Sequence, residues 1–209
     1  MGKLFFKYGT MGSGKSLQLL ATAYNFEERL IPFIILKSKI DTRDGNDIVH
    51  SRALGDRECV SISDDINLFD LIVKYVNQQL ILGNNKLKWI LVDECQFLTE
   101  YQVEELAAIC DKLDISVICY GLRTDFKTKL FPASKRLFEI ADTVEEIKST
   151  CSCNKKTIVN ARIDENKKII TNGNQIEVGG DDKYVSLCRK CYFKEIGHKL
   201  YKNNDKTYN

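Results

Sequence analysis

Apolar residues along this chain alternate between short continuous runs and longer stretches where they recur every three or four positions. Lys3-Leu4-Phe5-Phe6-Lys7-Tyr8 is an apolar, aromatic run that stops at Gly9, which predicts a buried strand. From Lys15 the spacing becomes helical. Leu17, Leu20 and Tyr24 form one stripe, Ala23, Phe26 and Leu30 adjoin it, and Pro32 ends the helix. Phe33 to Lys37 is a second strand, and the polar stretch from Asp41 to Arg57, with Gly45 and Gly55, reads as a long loop. Asp64 or Asp65 stands where it can cap a helix with Phe69, Val73, Val76 and Leu80 on one face, closed by Gly83-Asn84-Asn85. Trp89-Ile90-Leu91-Val92 is the next strand. Thr99-x-x-Gln102 is a capping box opening a helix with Val103, Leu106, Ala107 and Cys110 on one side. Ile115 to Tyr120 is another strand. Strands that are apolar throughout, separated by amphipathic helices, predict an α/β fold with a parallel sheet covered on both faces.

Composition narrows the class. Hydrophobic residues make up 44% of the 209 residues and charged ones 29%, a globular balance that excludes wholesale disorder. The apolar runs are too short to cross a bilayer, and the first residues do not resemble a signal peptide, so a cytoplasmic, reducing setting is expected. In that setting the 8 cysteines are not a disulfide framework. Cys59, Cys95, Cys110 and Cys119 stand alone, whereas Cys151, Cys153, Cys188 and Cys191 form two tight pairs. The net charge of +2 excludes a strong, purely electrostatic nucleic-acid binder. It averages an acidic excess before residue 150 and a basic excess after it. Both asymmetries place a boundary near Cys151, with a polar tail at 202–209 expected to be disordered.

Gly9-Thr10-Met11-Gly12-Ser13-Gly14-Lys15-Ser16 matches G-x-x-x-x-G-K-[ST] in full, between a predicted strand and a predicted helix. Phosphates need several donors converging from one side. Glycine-rich backbone can turn its N–H groups inward, and the following helix points its positive dipole end at the same place. Lys15 is placed for the β- and γ-phosphates of ATP and Ser16 for Mg²⁺, which makes 1–150 a P-loop ATP-binding domain.

The strand Trp89–Val92 ends in Asp93 and Glu94, where a parallel sheet carries its ligand site. Asp93 fits the second Mg²⁺ contact, and Glu94 fits a general base, either for water or for a substrate hydroxyl. No guanine-reading N-K-x-D and no LSGGQ-type signature occurs, which favours a small kinase over a GTPase switch or a motor.

Cys151-x-Cys153 and Cys188-x-x-Cys191, with 34 residues between the pairs, suit a four-thiolate Zn²⁺ site. Four protein ligands leave no open position, so its role is structural. His198 is a spare candidate ligand in a helical Tyr192–Leu200 segment. Between the pairs, Ile163 to Asp164 and Lys168-Ile169-Ile170 read as short strands.

Together these motifs resemble the type II thymidine kinases, in particular their bacterial branch. The resemblance rests on Gly9–Ser16, Asp41-Thr42-Arg43, Val92-Asp93-Glu94-Cys95-Gln96-Phe97, Tyr120-Gly121-Leu122-Arg123-Thr124-Asp125-Phe126, Phe131, the four paired cysteines and Val178-Gly179-Gly180-Asp181-Asp182-Lys183-Tyr184. It implies a zinc ribbon at 151–201 carrying a lasso loop, and transfer of the γ-phosphate of ATP to the 5′-hydroxyl of thymidine or deoxyuridine, with Glu94 as base. Gln175, Ile176, Glu177, Val178 and Gly179 would close over the thymine, largely through backbone groups, with Tyr184 at the same pocket. Phe126 and Phe131 would pack on the base. Leu122 and Met11 would line the pocket near the methyl group, Arg52 would help through phosphates or sugar, and Asp93 and Gln96 would lie beside the nucleotide. The family also implies a homotetramer, feedback binding of dTTP, and no membrane or nucleic-acid partner. A reading from a different class is a zinc-ribbon nucleic-acid-binding ATPase, motivated by Lys155-Lys156 and Lys167-Lys168 in the basic segment.

Overall fold

The computed structural model describes residues 1–41, 47–51, 53–175 and 183–201. In chain order the elements are β1 (Leu4–Gly9), α1 (Lys15–Glu28), β2 (Phe33–Ser38), β3 (Ile48–Ser51), β4 (Gly55–Glu58), β5 (Val60–Ile62), α2 (Leu68–Ile81) and β6 (Trp89–Asp93). They continue with α3 (Glu100–Leu113), β7 (Ser116–Gly121), α4 (Pro132–Ile140), β8 (Thr143–Ile147), β9 (Val159–Ile163), β10 (Ile169–Ile170), β11 (Tyr184–Leu187) and α5 (Arg189–Glu195).

Six strands form one parallel sheet in the order β5-β2-β6-β7-β1-β8. Its inner strands are apolar because helices cover both faces. Leu4, Phe6, Leu36, Ile90 and Val92 pack with residues of α2, α3 and α4, and Ile35, Leu91, Ile118 and Tyr120 pack with Leu19, Leu20 and Ala23 of α1. Since every strand runs the same way, the carboxyl ends of β1, β6 and β7 meet at one edge. The second sheet is antiparallel, β10-β9-β11, and among the described residues its buried apolar cluster is Val159, Ala161 and Tyr192, with Ile158, Ile169, Leu187, Phe193 and Ile196 partly buried against it.

Several elements differ from the sequence pattern. The buried face of α1 is set by Leu19, Leu20 and Ala23, whereas Leu17, Tyr24 and Leu30 are exposed. That helix ends at Glu28, before Pro32, as Leu30 turns left-handed at φ 54° and Ile31 donates its N–H back to the Phe26 carbonyl. Asn67, not Asp64 or Asp65, caps α2 by accepting the Asp70 N–H at 2.7 Å, while Asp65 instead takes the Ser63 hydroxyl. Leu80 lies outside the packed face. Within the predicted long loop, Ile48–Ser51 and Gly55–Glu58 pair as a hairpin. The β9 strand begins at Val159 rather than Ile163, and α5 stops at Glu195, with Gly197 at φ 64° ahead of a 3-10 turn. The Thr99/Gln102 capping box forms as its spacing predicts.

Three main-sheet features were not visible in the pattern. β5 is three residues long, α4 is short, and β8 carries Glu145 and Glu146. β8 is an edge strand whose acids pair with Lys7 at 3.1 Å and Lys156 at 2.6 Å. A charged edge resists pairing with other chains, and for that reason it lacks an apolar signature.

Candidate active site and metal centre

The Gly9–Ser16 loop sits between β1 and α1, as the motif requires. Gly12 and Gly14 adopt φ 69° and 86°, left-handed conformations that a side chain would strain. The Ser13 N–H closes the loop onto the Thr10 carbonyl at 3.2 Å, and Lys15, 6% exposed, donates to that same carbonyl at 3.1 Å. The loop therefore holds a buried ammonium beside a helix N-terminus, an arrangement suited to polyphosphate.

Although β7 separates β1 from β6 in the sheet, their ends converge. The Ser16 hydroxyl donates to Asp93 Oδ2 at 3.3 Å, while Asp93 Oδ1 is buried without a hydrogen-bond partner. Burial, then the neighbouring Glu94 charge, pushes the Asp93 carboxyl up to about 7, against the pull of Lys15 and Lys37. Lys37, buried at the end of β2, pairs with Asp41 at 3.3 Å and donates to the Ile48 carbonyl. A buried carboxylate oxygen lacking a donor, next to a serine hydroxyl on a phosphate loop, is a donor set that fits a divalent cation.

Glu94 follows in the left-handed region, φ 49° and ψ 41°, where the strand breaks into the 3-10 turn Cys95–Phe97. A non-glycine residue there is unusual, and such backbone concentrates at functional sites. Gln96 donates from Nε2 to Glu94 Oε2 and accepts the Leu122 N–H at 2.9 Å on Oε1, linking the end of β6 to the residue after β7. This requires the close approach at Gly121, where a Cβ would lie 2.5 Å from Cys95 Sγ and 2.7 Å from Gln96 Oε1.

The segment after Gly121 carries the predicted base-pocket residues. Leu122, Phe126 and Phe131 are buried. A turn in which Asp125 accepts the Lys127 and Lys129 N–H groups shapes the loop, and Tyr192 donates its hydroxyl to the Phe126 carbonyl at 3.2 Å. Phe131 packs edge-on against Phe97. Phe126 and Tyr184 are brought together by Arg162, whose guanidinium lies 3.9 Å from the Phe126 ring centroid and donates to the Tyr184 hydroxyl at 3.0 and 3.2 Å. Arg162 was missed from sequence, as were Thr157, Asn160 and Ser186. The available signal was polar Asn160 and Arg162 alternating inside the apolar run Val159–Ile163, which is strand periodicity with one polar face. Gln175 is exposed, and Arg52, Ile176, Glu177, Val178 and Gly179 lie outside the described residues.

Cys151, Cys153, Cys188 and Cys191 converge, with all four sulfurs within 4.8 Å of one another. A tetrahedral Zn²⁺ with bonds of about 2.3 Å would set its sulfurs about 3.8 Å apart, so the cluster could hold that ion. Tight turns shape both pairs. Asn154 is left-handed at φ 60° and donates to the Cys151 carbonyl, and the Cys191 N–H donates to Cys188 Sγ at 3.4 Å. Burial opposes ionisation of Cys151, but backbone N–H groups of Cys153 and Cys188 outweigh it and bring the thiol down to about 6. Elsewhere burial pushes Cys59 up to about 11 and Cys110 up to about 12, so those thiols stay neutral. His198 stands apart from the sulfurs, 4.8 Å from the Phe193 ring. In the basic segment Lys156 is ion-paired with Glu146. No helix among the described residues is long and apolar enough to cross a membrane.

Comparison with known proteins adds a family to this geometry. The sequence pattern of the family described as Thymidine kinase matches residues 2–192. A thymidine kinase of Zymomonas mobilis is 42% identical over 94% of this chain and 98% of its own length. One from Shouchella clausii is 45% identical over 92% and 96%, and one from Streptococcus pyogenes 42% identical over 92% and 98%.

Proposed function

This chain belongs to the thymidine kinase family, and on that premise we propose that it transfers the γ-phosphate of ATP to the 5′-hydroxyl of thymidine, and of deoxyuridine, in nucleotide salvage for DNA synthesis. The observation that carries the reading is the contact of Ser16 on the phosphate loop with Asp93, whose other oxygen is orphaned, with Glu94 the next residue at the same strand end. Gly9 to Ser16 bind the phosphates of ATP, with Lys15 neutralising charge on the β- and γ-phosphates. Ser16 and Asp93 are the residues that would hold Mg²⁺, which supplies charge neutralisation at the transferred group. Glu94 takes the proton of the 5′-hydroxyl, and its hydrogen bond from Gln96 fixes the carboxylate's direction.

Phe126, Phe131 and Leu122 pack the base, Tyr184 closes the pocket, and Gln175 to Gly179 fold over it through backbone groups. Arg52 contributes from the phosphate or sugar side. Zn²⁺ on the four cysteines anchors both ends of this 151–201 ribbon, separate in role from the ATP-binding 1–150 domain. Excluding water over the bound nucleoside protects ATP from hydrolysis. The enzyme works in the cytoplasm as a homotetramer under feedback by dTTP. A nucleoside-by-nucleoside phosphorylation assay with ATP and Mg²⁺ tests the assignment. Thymidine monophosphate is the expected product, lost in Glu94→Ala. ATPase activity stimulated by DNA or RNA, without a nucleoside product, would reverse it.

A further inference from the structure

The phosphate loop is not held by the main sheet alone. Its third residue, Met11, has both backbone polar groups engaged from the second sheet. The Met11 N–H donates to Asn160 Oδ1 at 2.7 Å, and the Met11 carbonyl accepts the Ser186 hydroxyl at 2.7 Å. Asn160 and Ser186 are directly opposed across β9 and β11, so one cross-strand pair grips the two peptide units that flank the Met11 Cα. One residue earlier in the loop, the Thr10 and Thr157 hydroxyls meet at 2.8 Å, both side chains buried. Asn160 is 3% exposed and spends its amide on the Thr124 carbonyl at 3.3 Å, in the loop that leads to Phe126.

We propose that Asn160 and Ser186 are positioning residues that set the shape of the phosphate loop through the backbone of Met11, so that ATP affinity is controlled from the zinc-ribbon segment. The proposal rests on reading Gly9–Ser16 as the ATP phosphate loop. A loop that binds by backbone N–H groups must hold them before the ligand arrives, because donors that reorganise on binding give back part of the interaction. Gly12 and Gly14 permit the conformation without enforcing it, since glycine populates both signs of φ. An external grip on Met11 supplies the constraint that the glycines lack. Asn160 also ties down the loop bearing Phe126, so it connects the ATP and nucleoside subsites, whereas the Ser186 hydroxyl bonds to the phosphate loop.

The test uses the zinc-loaded full chain. Binding of a fluorescent ATP analogue with Mg²⁺ is titrated for wild type, Ser186→Ala, Ser186→Thr and Asn160→Ala, alongside zinc content, melting temperature and the KM for each substrate. Ser186→Ala is expected to weaken nucleotide binding about tenfold, as loss of a supporting hydrogen bond does, with KM for thymidine unchanged. Ser186→Thr, which keeps the hydroxyl on a strand, restores binding. Asn160→Ala raises KM for both substrates. Binding within about twofold of wild type in both alanine variants overturns the proposal. So does weakened binding that follows lost zinc or lowered melting temperature in all three variants, threonine included. Because analogue binding needs no acceptor, a wild type that binds nucleotide yet phosphorylates no thymidine sinks the kinase assignment and leaves this inference standing.

Discussion

The two sheets of this molecule are stabilised by different means. The six-stranded parallel sheet is covered on both faces, and its interior includes Leu4, Phe6, Leu36, Ile90, Val92, Leu106 and Ile109 with almost no exposure. The three-stranded sheet buries an apolar cluster of Val159, Ala161 and Tyr192, which is too little to offset the cost of ordering that stretch of chain. Four sulfurs at its ends and hydrogen bonds to Met11, Thr10, Thr124 and Phe126 supply the rest. A sheet resting on distributed burial tolerates local loss. A sheet resting on a four-sulfur cluster and a few polar contacts does not.

The largest expected effect tests this asymmetry directly. Cys188→Ser, or stripping zinc with a chelator, should unfold the ribbon while the parallel sheet keeps its helical circular dichroism, because structural zinc binding is folding free energy of about 10 kcal/mol or more. Limited proteolysis would then cut between 151 and 201 first. Protection unchanged without zinc would break the contrast. Next, Glu94→Gln preserves shape and the left-handed backbone, so it should lower kcat by about 10²–10⁴-fold with melting temperature unchanged. That separates chemistry from architecture at the seam of the larger sheet, and steady-state kinetics reads it. Leu106→Ala, wholly buried between α3 and the sheet, should cost about 2–5 kcal/mol in urea unfolding yet leave zinc content untouched. The smallest effect is at Asn67→Ala, where loss of the cap on the Asp70 N–H should cost about 1 kcal/mol by the same measurement.

Much of the larger region was legible because its signals are local. A strand buried on both faces must be apolar throughout, so β1, β2, β6 and β7 announced themselves. The Thr99/Gln102 box did too, since capping is settled within four residues. Edges were not legible. β5 and β8 pair on one side only and carry little apolar character, and the β3–β4 hairpin stands outside the main sheet, its β4 polar and mostly exposed although Val49 of β3 is buried in the core. The face predicted for α1 is right only in part, for a related reason: Leu20 and Ala23 are buried, whereas Leu17 and Tyr24 are exposed. Helical spacing admits two neighbouring faces, and the packing partner selects between Leu17 with Tyr24 and Leu19 with Ala23.

The candidate site divides in the same way. Gly9–Ser16 and the cysteine pairs could be read directly, because a phosphate loop needs glycine at φ values other residues avoid and zinc needs soft ligands at short spacings. Each signal lies within a few consecutive residues, the glycines in one loop and the cysteines in two short pairs, so the sequence by itself determined these parts. That the two pairs, with 34 residues between them, meet was decided by the fold. Only the tertiary structure decided that β7 lies between β1 and β6 while Ser16 still reaches Asp93, and that Asn160 and Ser186 face Met11 across 149 and 175 positions. A hydrogen bond over such a separation leaves no spacing to read. It exists because two strands and a loop are brought together by burial and by a cysteine cluster that lie elsewhere in the chain.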